Sequence, residues 1–318
     1  MKKILLVKTS SMGDIVHNLP VASDIRASLP GAQIAWVAEE PFAAIPRLHA
    51  AVGQVIPVAM RRWRKTLWRR ETRAEIGAFL HRLREHSYDA VIDTQGLLKS
   101  ALLTRAAKGR RYGMDWASAR EPLTLFYDRT FSVPWTLNAV ERNRMLAAQA
   151  LGYALPENID YGIRAAPAVF PWLPSARYAV LLHATSAGRK LWQEARWIDI
   201  GRHLAKQGVA SILPCGSAAE RARSQKLAAQ IPGAIVPPVL QLDAAAALLQ
   251  GAHAVIGVDT GLMHLAAALG APTVGIYCAT DPGATGVYAC PRAVNLGGDG
   301  NPPAVAEVRA ALESLMFE

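Results

Sequence analysis

Ala254-Val255-Ile256-Gly257-Val258-Asp259-Thr260-Gly261-Leu262-Met263-His264-Leu265-Ala266-Ala267-Ala268-Leu269-Gly270 decides the fold. Its first five residues are apolar and rich in β-branched side chains, the pattern of a strand buried on both faces. Its last six are an Ala/Leu helix pattern closed by glycine. The polar residues between them therefore sit where a parallel strand ends and a helix begins. The first amides of such a helix have no internal partners, and its dipole adds partial positive charge there. Thr260 and Gly261 let a phosphate approach those amides closely. His264 follows Thr260 by four residues and shares its helix face, one turn on.

Two other readings of the motif compete. Asp-Thr-Gly after an apolar strand also marks aspartic proteases, which need two carboxylates sharing a proton. A two-lobed protease carries two copies, and this chain has one. A small dimeric protease has one copy but lacks the strand–helix alternation described below. Asp259 could also serve only as a structural cap of the helix.

Outward from this stretch the same alternation recurs. In the first half, Lys3–Val7 reads as a strand, Thr9–Asp14 as a loop and Ile15–Leu29 as one helix. Gln33–Val37 and Val55–Val58 read as strands, Thr72–His86 as a helix, Ala90–Asp93 as a strand and Asn138–Leu151 as a helix. Pro156, Pro167, Pro171 and Pro174 punctuate a linker. The alternation restarts with strand Tyr178–His183, helix Glu194–Gln207, strand Val209–Leu213 and helix Ala218–Gln230. Ala234–Val236, Leu242–Gln250, Ala254–Val258, Leu262–Leu269 and Thr273–Tyr277 continue it. Two such halves imply an α/β protein with two parallel sheets covered by helices. The expected domains are residues 1–160 and 175–318, with a linker at about 156–175 and a last helix free to return to the first domain. Ligands of such sheets bind beyond the carboxyl ends of strands, and two facing halves would put a cleft between them.

Composition narrows the class. The chain has 318 residues, 51% of them hydrophobic and 19% charged, enough for sizeable cores. No apolar run approaches the length of a membrane span. The apolar run after Lys2 and Lys3 is only four residues long, too short for a secretory signal and suited to a buried first strand. Cys215, Cys278 and Cys290 lack the paired spacing of a zinc site, and a reduced cytoplasmic protein is expected. Asp-x-Asp and a Cys/His cluster are both absent, so no metal and no cofactor are expected. The net charge of +10 is uneven: residues 1–170 hold 24 Lys/Arg against 15 Asp/Glu. The first half therefore faces or rests on something anionic.

Three further segments carry chemistry. Thr9-Ser10-Ser11-Met12-Gly13-Asp14 ends the first strand with hydroxyls, a glycine and a carboxylate. It is not the Gly-x-Gly-x-x-Gly of a dinucleotide site. Asp14 is either a general base or a helix cap. His183-Ala184-Thr185-Ser186-Ala187-Gly188-Arg189-Lys190 ends another strand, and Lys190 there can neutralise a leaving diphosphate or be a solvated loop cation. Glu220 can accept from ribose hydroxyls or be a helix-start charge. Arg61 to Arg73 holds seven basic residues, one acid, Trp63 and Trp68. Nucleic acid, a solvated face, and a membrane surface or anionic glycolipid all fit that composition.

In order along the chain, several segments resemble a known family. They are Val7–Asp14; Ile56-Pro57-Val58 with Arg61-Arg62-Trp63-Arg64-Lys65; Tyr88–Asp93 with Gln95-Gly96-Leu97; Gly113–Trp116 with Ala119–Leu123; Leu182–Thr185; Val258–Leu262 with His264; and Thr280–Gly283. Up to about residue 288 the chain resembles the lipopolysaccharide heptosyltransferases of Gram-negative bacteria. It resembles the type I branch in particular, since the enzyme adding the second heptose has bulky residues in place of Ser10-Ser11. The resemblance implies a GT-B fold of two Rossmann-like domains facing across a cleft. It implies inverting, metal-independent transfer of L-glycero-D-manno-heptose from ADP-heptose to the Kdo of Kdo-lipid A. Asp14 falls on the position proposed as the base. Thr185, Ser186, Lys190, Glu220, Leu240, Asp259, Thr260, Gly261, Leu262 and His264 fall on donor-site positions. Ser10, Met12, Gly13, Arg61, Arg62, Arg64, Lys65 and Arg120 fall on acceptor-site positions. Ser186 replaces a usual Thr and Leu240 a common Met, keeping a hydroxyl and an apolar wall for adenine. The implied setting is peripheral, on the anionic cytoplasmic face of the inner membrane, without nucleic acid. The alternatives are transfer of the second heptose, or nucleotide or nucleic-acid binding without catalysis.

Overall fold

The structure is a computed structural model that describes residues 1–317. The chain divides into two compact units, Met1–Ile163 and Arg164–Glu318.

The first unit runs β1 (Lys3–Val7), α1 (Met12–Val16), α2 (Leu19–Ser28), β2 (Gln33–Glu39), α3 (Ala44–Arg47), β3 (Val52–Val58), α4 (Met60–Trp63), α5 (Arg70–Leu83), β4 (Ser87–Asp93), α6 (Leu98–Ala106), β5 (Lys108–Met114), β6 (Arg129–Phe131) and α7 (Ala139–Leu151). Its six strands are ordered β3-β2-β1-β4-β5-β6, and every pairing is parallel. Leu5, Val7, Val37, Ile56, Val58 and Val91 form one buried side of the sheet, on which Trp63, Phe79 and Leu83 pack. The order reverses direction between β1 and β4, so the crevice beyond their carboxyl ends is the expected ligand position. Thr9–Asp14 follows β1, and Thr94–Leu97 follows β4.

The second unit runs β7 (Tyr178–Leu182), α8 (Glu194–Lys206), β8 (Ala210–Ile212), α9 (Ala218–Ala228), α10 (Leu242–Gln250), β9 (Ala254–Val258), α11 (Gly261–Ala268), β10 (Thr273–Tyr277), α12 (Pro282–Thr285), β11 (Ala293–Gly297) and α13 (Val305–Phe317). Its five strands are ordered β11-β10-β9-β7-β8, again all parallel. Here the reversal falls between β7 and β9. The loops leaving those strands are Ala184–Lys190 and Asp259–Thr260. Val308 and Leu312 of α13 join the core of this unit with Trp192, Trp197 and Ile256.

Two local expectations change. The single helix Ile15–Leu29 is two helices, separated at His17-Asn18. Pro20 lacks an N–H and clashes with a preceding turn, so it is accommodated in the first turn of α2. Ala234–Val236 contributes one isolated bridge, Ile212 to Ile235, rather than a strand. The Pro-punctuated stretch is pinned at both ends. Arg144 donates to the Pro156 and Asn158 carbonyls, and the Ala165 amide donates to Gln250 Oε1 at 2.9 Å. Gly162 has φ +63°, and a Cβ there would collide with His49 Nε2, so only glycine fits this approach.

Candidate functional site

In the second unit the groups converge on Asp259. The strand–helix joint is tight because Gly257 has no side chain: a Cβ there would lie 2.8 Å from Met263 Cβ. That lets the start of α11 sit close against β9. Asp259 follows β9 directly, and its amide bonds to the Ile276 carbonyl at 3.0 Å. Its Oδ2 accepts from Lys190 Nζ at 2.6 Å and from Thr280 Oγ1 at 2.8 Å. Its Oδ1 lies 3.3 Å from His264 Nε2. Burial alone would raise this carboxyl, but the hydrogen bonds from His264, Lys190 and Thr280 hold it well below the usual carboxylate range. Asp259 is therefore an anion that anchors three groups arriving from β7, α11 and β10.

Thr260 is the N-cap of α11, in extended conformation, and its hydroxyl makes no capping bond. The helix thus presents its first amides, at Gly261 and Leu262, without an intrahelical partner. Thr185 Oγ1 donates to the Asp259 carbonyl at 3.3 Å, drawing the β7 loop to the same point. Ser186 is exposed, and Leu240 and Leu262 are half-buried. Glu220 caps α9: its Oε2 accepts from the Gly216 amide at 2.7 Å, and its own amide donates to Ser217 Oγ. The helix-start role is thus realised, with Oε1 left over. His183 lies behind the loop, buried on Ser224 Oγ at 2.8 Å, and burial pushes its imidazole down to about 4.

In the first unit the loop after β1 is held by the loop after β4. Gln95 Oε1 accepts from the amides of Thr9 at 3.0 Å and Ser10 at 3.1 Å. Lys99 Nζ donates to Ser10 Oγ at 2.6 Å. Gln95 is itself fixed by Asp93, whose Oδ1 takes the Gln95 and Gly96 amides and whose Oδ2 takes the Tyr127 hydroxyl. Asp14 Oδ2 accepts from the Ser11 amide at 2.6 Å and the Ser11 hydroxyl at 2.7 Å. Desolvation opposes its ionisation, but the Lys8 charge and the two Ser11 hydrogen bonds win, holding it below its ordinary value. Asp14 is both cap and anion, and Oδ2 carries the capping.

Lys8 is a buried cation beside this loop that sequence reading did not single out. Its ammonium is buried and donates to the Thr94 carbonyl at 2.7 Å and to Asn143 Oδ1 at 3.3 Å. Burial pushes it down to about 8 despite Asp14 and Asp93 nearby. A lysine ending an otherwise apolar strand was the available signal. Gln95 and Lys99 were also missed as site residues. Their signal was position only, on the other side of the sheet reversal.

The basic segment does not act as one surface. Trp63 is buried, edge-on to Phe79 at 5.6 Å, and its Nε1 donates to Glu75. The two tryptophans are therefore not a pair of stacking rings; Trp63 is core because α4 packs on the sheet. Arg62 is held between Glu40 and Glu75, at 3.2 and 2.7 Å. Arg61 lies over the Phe42 ring. Arg64, Lys65 and Arg120 are exposed, and Met12 and Gly13 are half-exposed beside Asp14. Among the described residues no group of three His, Cys, Asp or Glu is placed to hold a metal ion.

The model of glycosyltransferase family 9 (heptosyltransferase) matches residues 76–310. Lipopolysaccharide heptosyltransferase 1 of Pseudomonas aeruginosa is 50% identical over 303 residues, covering 93% of this chain and 84% of its own. The Escherichia coli K12 protein of the same name is 47% identical over 291 residues, covering 90% and 91%. Among solved structures, E. coli heptosyltransferase WaaC with ADP superposes with a TM-score of 0.90 at 43% identity, covering 98% of this chain and 99% of that one. E. coli ADP-heptose lps heptosyltransferase II, at 22% identity and TM-score 0.79, shares the fold.

Proposed function

The chain belongs to glycosyltransferase family 9, the heptosyltransferases, and from that premise we propose that it moves L-glycero-D-manno-heptose from ADP-heptose to the Kdo of Kdo-lipid A. It is a glycosyltransferase of the GT-B class, its two parallel α/β units being the two Rossmann-like domains. Four relatives named lipopolysaccharide heptosyltransferase 1 are 46–50% identical to it, against 22% for E. coli heptosyltransferase II, which favours the first heptose over the second.

The observation that carries the donor assignment is the Lys190–Asp259–Thr280–His264 cluster at the first turn of α11. It combines a cation with helix amides at a sheet reversal, which is what a diphosphate needs. Thr185, Ser186 and the Gly261 and Leu262 amides would take phosphate oxygens, Leu240 would face adenine, and Glu220 Oε1 would meet a ribose hydroxyl. In the inverting step the acceptor oxygen forms its bond to the anomeric carbon as the bond to ADP breaks. Asp14 accepts the hydroxyl proton, and Lys190 with the α11 amides takes the charge that develops on the diphosphate. Ser10, Met12, Gly13, Arg61, Arg62, Arg64, Lys65 and Arg120 would hold the anionic acceptor.

Among the described residues no helix is long and apolar enough to cross a membrane. A lipid-linked acceptor then calls for peripheral binding to an anionic membrane surface. Incubation with ADP-heptose and Kdo-lipid A tests the whole reading through ADP release. Release that needs both substrates is expected. Release only with an acceptor already carrying one heptose would select the second-heptose activity, and donor binding without release would remove catalysis altogether.

A further inference from the structure

Leu67 and Trp68 occupy the apex of the turn between α4 and α5. They are 52% and 71% exposed, while the neighbouring Trp63 is 8% exposed. The turn beneath them is built rather than loose. Its base is closed by the Thr66 amide on the Trp63 carbonyl at 2.9 Å and the Arg69 amide on Thr66 at 3.0 Å. The Thr66 and Thr72 hydroxyls meet at 2.9 Å, and Arg73 Nη2 donates to the Trp68 carbonyl at 2.9 Å. No ring or guanidinium stacks on Trp68 among the described residues. Two large apolar side chains are thus held out in water by an ordered scaffold, which costs hydration without any internal gain.

The surroundings say what covers them. Arg64, Lys65, Arg69, Arg70 and Arg73 are all exposed within six residues of the apex. Glu75 and Glu40 are taken by Arg62, and Glu75 also by Trp63 Nε1, which leaves the exposed Glu71 as one carboxylate among these five cations. A protein partner would bury such a patch against matching carboxylates and a shaped groove. A bilayer with anionic headgroups needs neither. It accepts an indole at the headgroup level, a leucine just below, and a ring of cations at the phosphates.

We propose that the Leu67–Trp68 apex inserts into the interfacial layer of an anionic lipid bilayer, with Arg64, Lys65, Arg69, Arg70 and Arg73 on its headgroups. This deepens the reading of a lipid-linked acceptor: it assigns membrane attachment to two apolar side chains beside the acceptor cations. Each cation near such a surface contributes about a fivefold factor in partitioning, which salt screens. Insertion of the apex is apolar and survives salt.

The test uses the full chain and vesicles of phosphatidylglycerol and phosphatidylethanolamine containing no glycolipid acceptor, so that it does not depend on the activity. Wild-type protein should sediment with these vesicles and not with phosphatidylcholine alone, and part of the binding should persist in high salt. L67S/W68S should partition at least about tenfold less, with unchanged circular dichroism and unchanged transfer to a deacylated, water-soluble Kdo acceptor. Brominated lipid should quench tryptophan fluorescence in the wild type and not in W68F. Equal partitioning of L67S/W68S, equal quenching of W68F, or complete loss of wild-type binding in salt would each overturn insertion. Loss of transfer to the soluble acceptor in the wild type would instead sink the activity, leaving the vesicle result standing.

Discussion

Lys190 Nζ lies 2.6 Å from Asp259 Oδ2, although the two residues are 69 positions apart and leave different strands. The pair is side-chain-buried to roughly nine-tenths at Asp259 and three-quarters at Lys190. Asp259 therefore holds the lysine beside the first turn of α11. D259N keeps the shape but releases the charge. Its KM for ADP-heptose should rise about tenfold or more, with kcat also reduced. The same variant tests a pH effect. The folded carboxyl titrates below its ordinary value, so its stabilisation is complete above the unfolded pKa, near 4, and fades as pH falls below that. Urea midpoints between pH 5 and 3 should fall less steeply for D259N than for wild type. Matching slopes and an unchanged KM would reduce Asp259 to a bystander.

Asp14 makes a sharper kinetic prediction. As the base, its removal should cost kcat about 10²- to 10⁴-fold and leave donor affinity intact. D14A and D14N both lose the base. D14N still offers an oxygen to the Ser11 amide, so it keeps the cap. Equal loss of turnover in both, with a smaller loss of stability in D14N, separates chemistry from capping. A D14N enzyme with near-normal turnover would refute the assignment.

The buried Arg144 ties three parts of the first unit. It bonds Asp24 of α2 at 2.7 and 3.2 Å and the Pro156 carbonyl at 2.6 Å, with a side chain 1% exposed. R144M leaves Asp24 buried without its counter-charge, and should cost about 3–5 kcal/mol of stability by denaturant unfolding. D24L/R144M should recover part of that loss, because it removes both charges. A single-variant loss below 1 kcal/mol would mean that the pair is more hydrated than its burial indicates.

Charge removal across the basic segment should not have a uniform effect. Arg62 is already held by Glu40 and Glu75. Arg64 and Lys65 make no ion pair among the described residues. R64A/K65A should therefore raise KM for the lipid acceptor well beyond R62A, with donor binding unchanged in both. The reverse ranking would show that Arg62 leaves its carboxylates when acceptor binds.

These contrasts mark what a linear reading can reach. The β9–α11 joint was legible because an apolar β-branched run, a polar pause and an Ala/Leu helix lie consecutively. β5, Lys108-Gly-Arg-Arg-Tyr-Gly-Met, was not, since its charged first half is exposed and carries no strand pattern. Trp63 and Trp68 are chemically identical neighbours with opposite burial, which only the docking of α4 on the sheet decides. Lys190 and Asp259 lie just beyond strand ends, where chemistry is expected, and Asp14 lies in the first turn of the helix that follows β1. Gln95, Lys99 and Thr280 reach the same sites from β4, α6 and β10, and no periodicity reports a partner 21 or 86 residues away.

Lys8 gives the last prediction. Its Nζ is buried, bonded to the Thr94 carbonyl and Asn143, and its charge is among the forces that keep Asp14 ionised. K8M should move the acid limb of kcat to higher pH, because the carboxyl loses a nearby cation. Lys8 itself titrates near 8 when folded and near 10.5 when unfolded. Between those values the unfolded chain binds more protons, so this residue makes wild-type stability rise with pH. K8M should lack that rise. Arg120, Arg142, Asp93 and Asp14 are the other charges facing the ammonium. Denaturant midpoints at pH 7.5, 8.5 and 9.5, with pH–rate profiles of both proteins, decide it. An unshifted acid limb in K8M would leave Lys8 a structural cation only, and a parallel rise in stability would place the alkaline titration elsewhere.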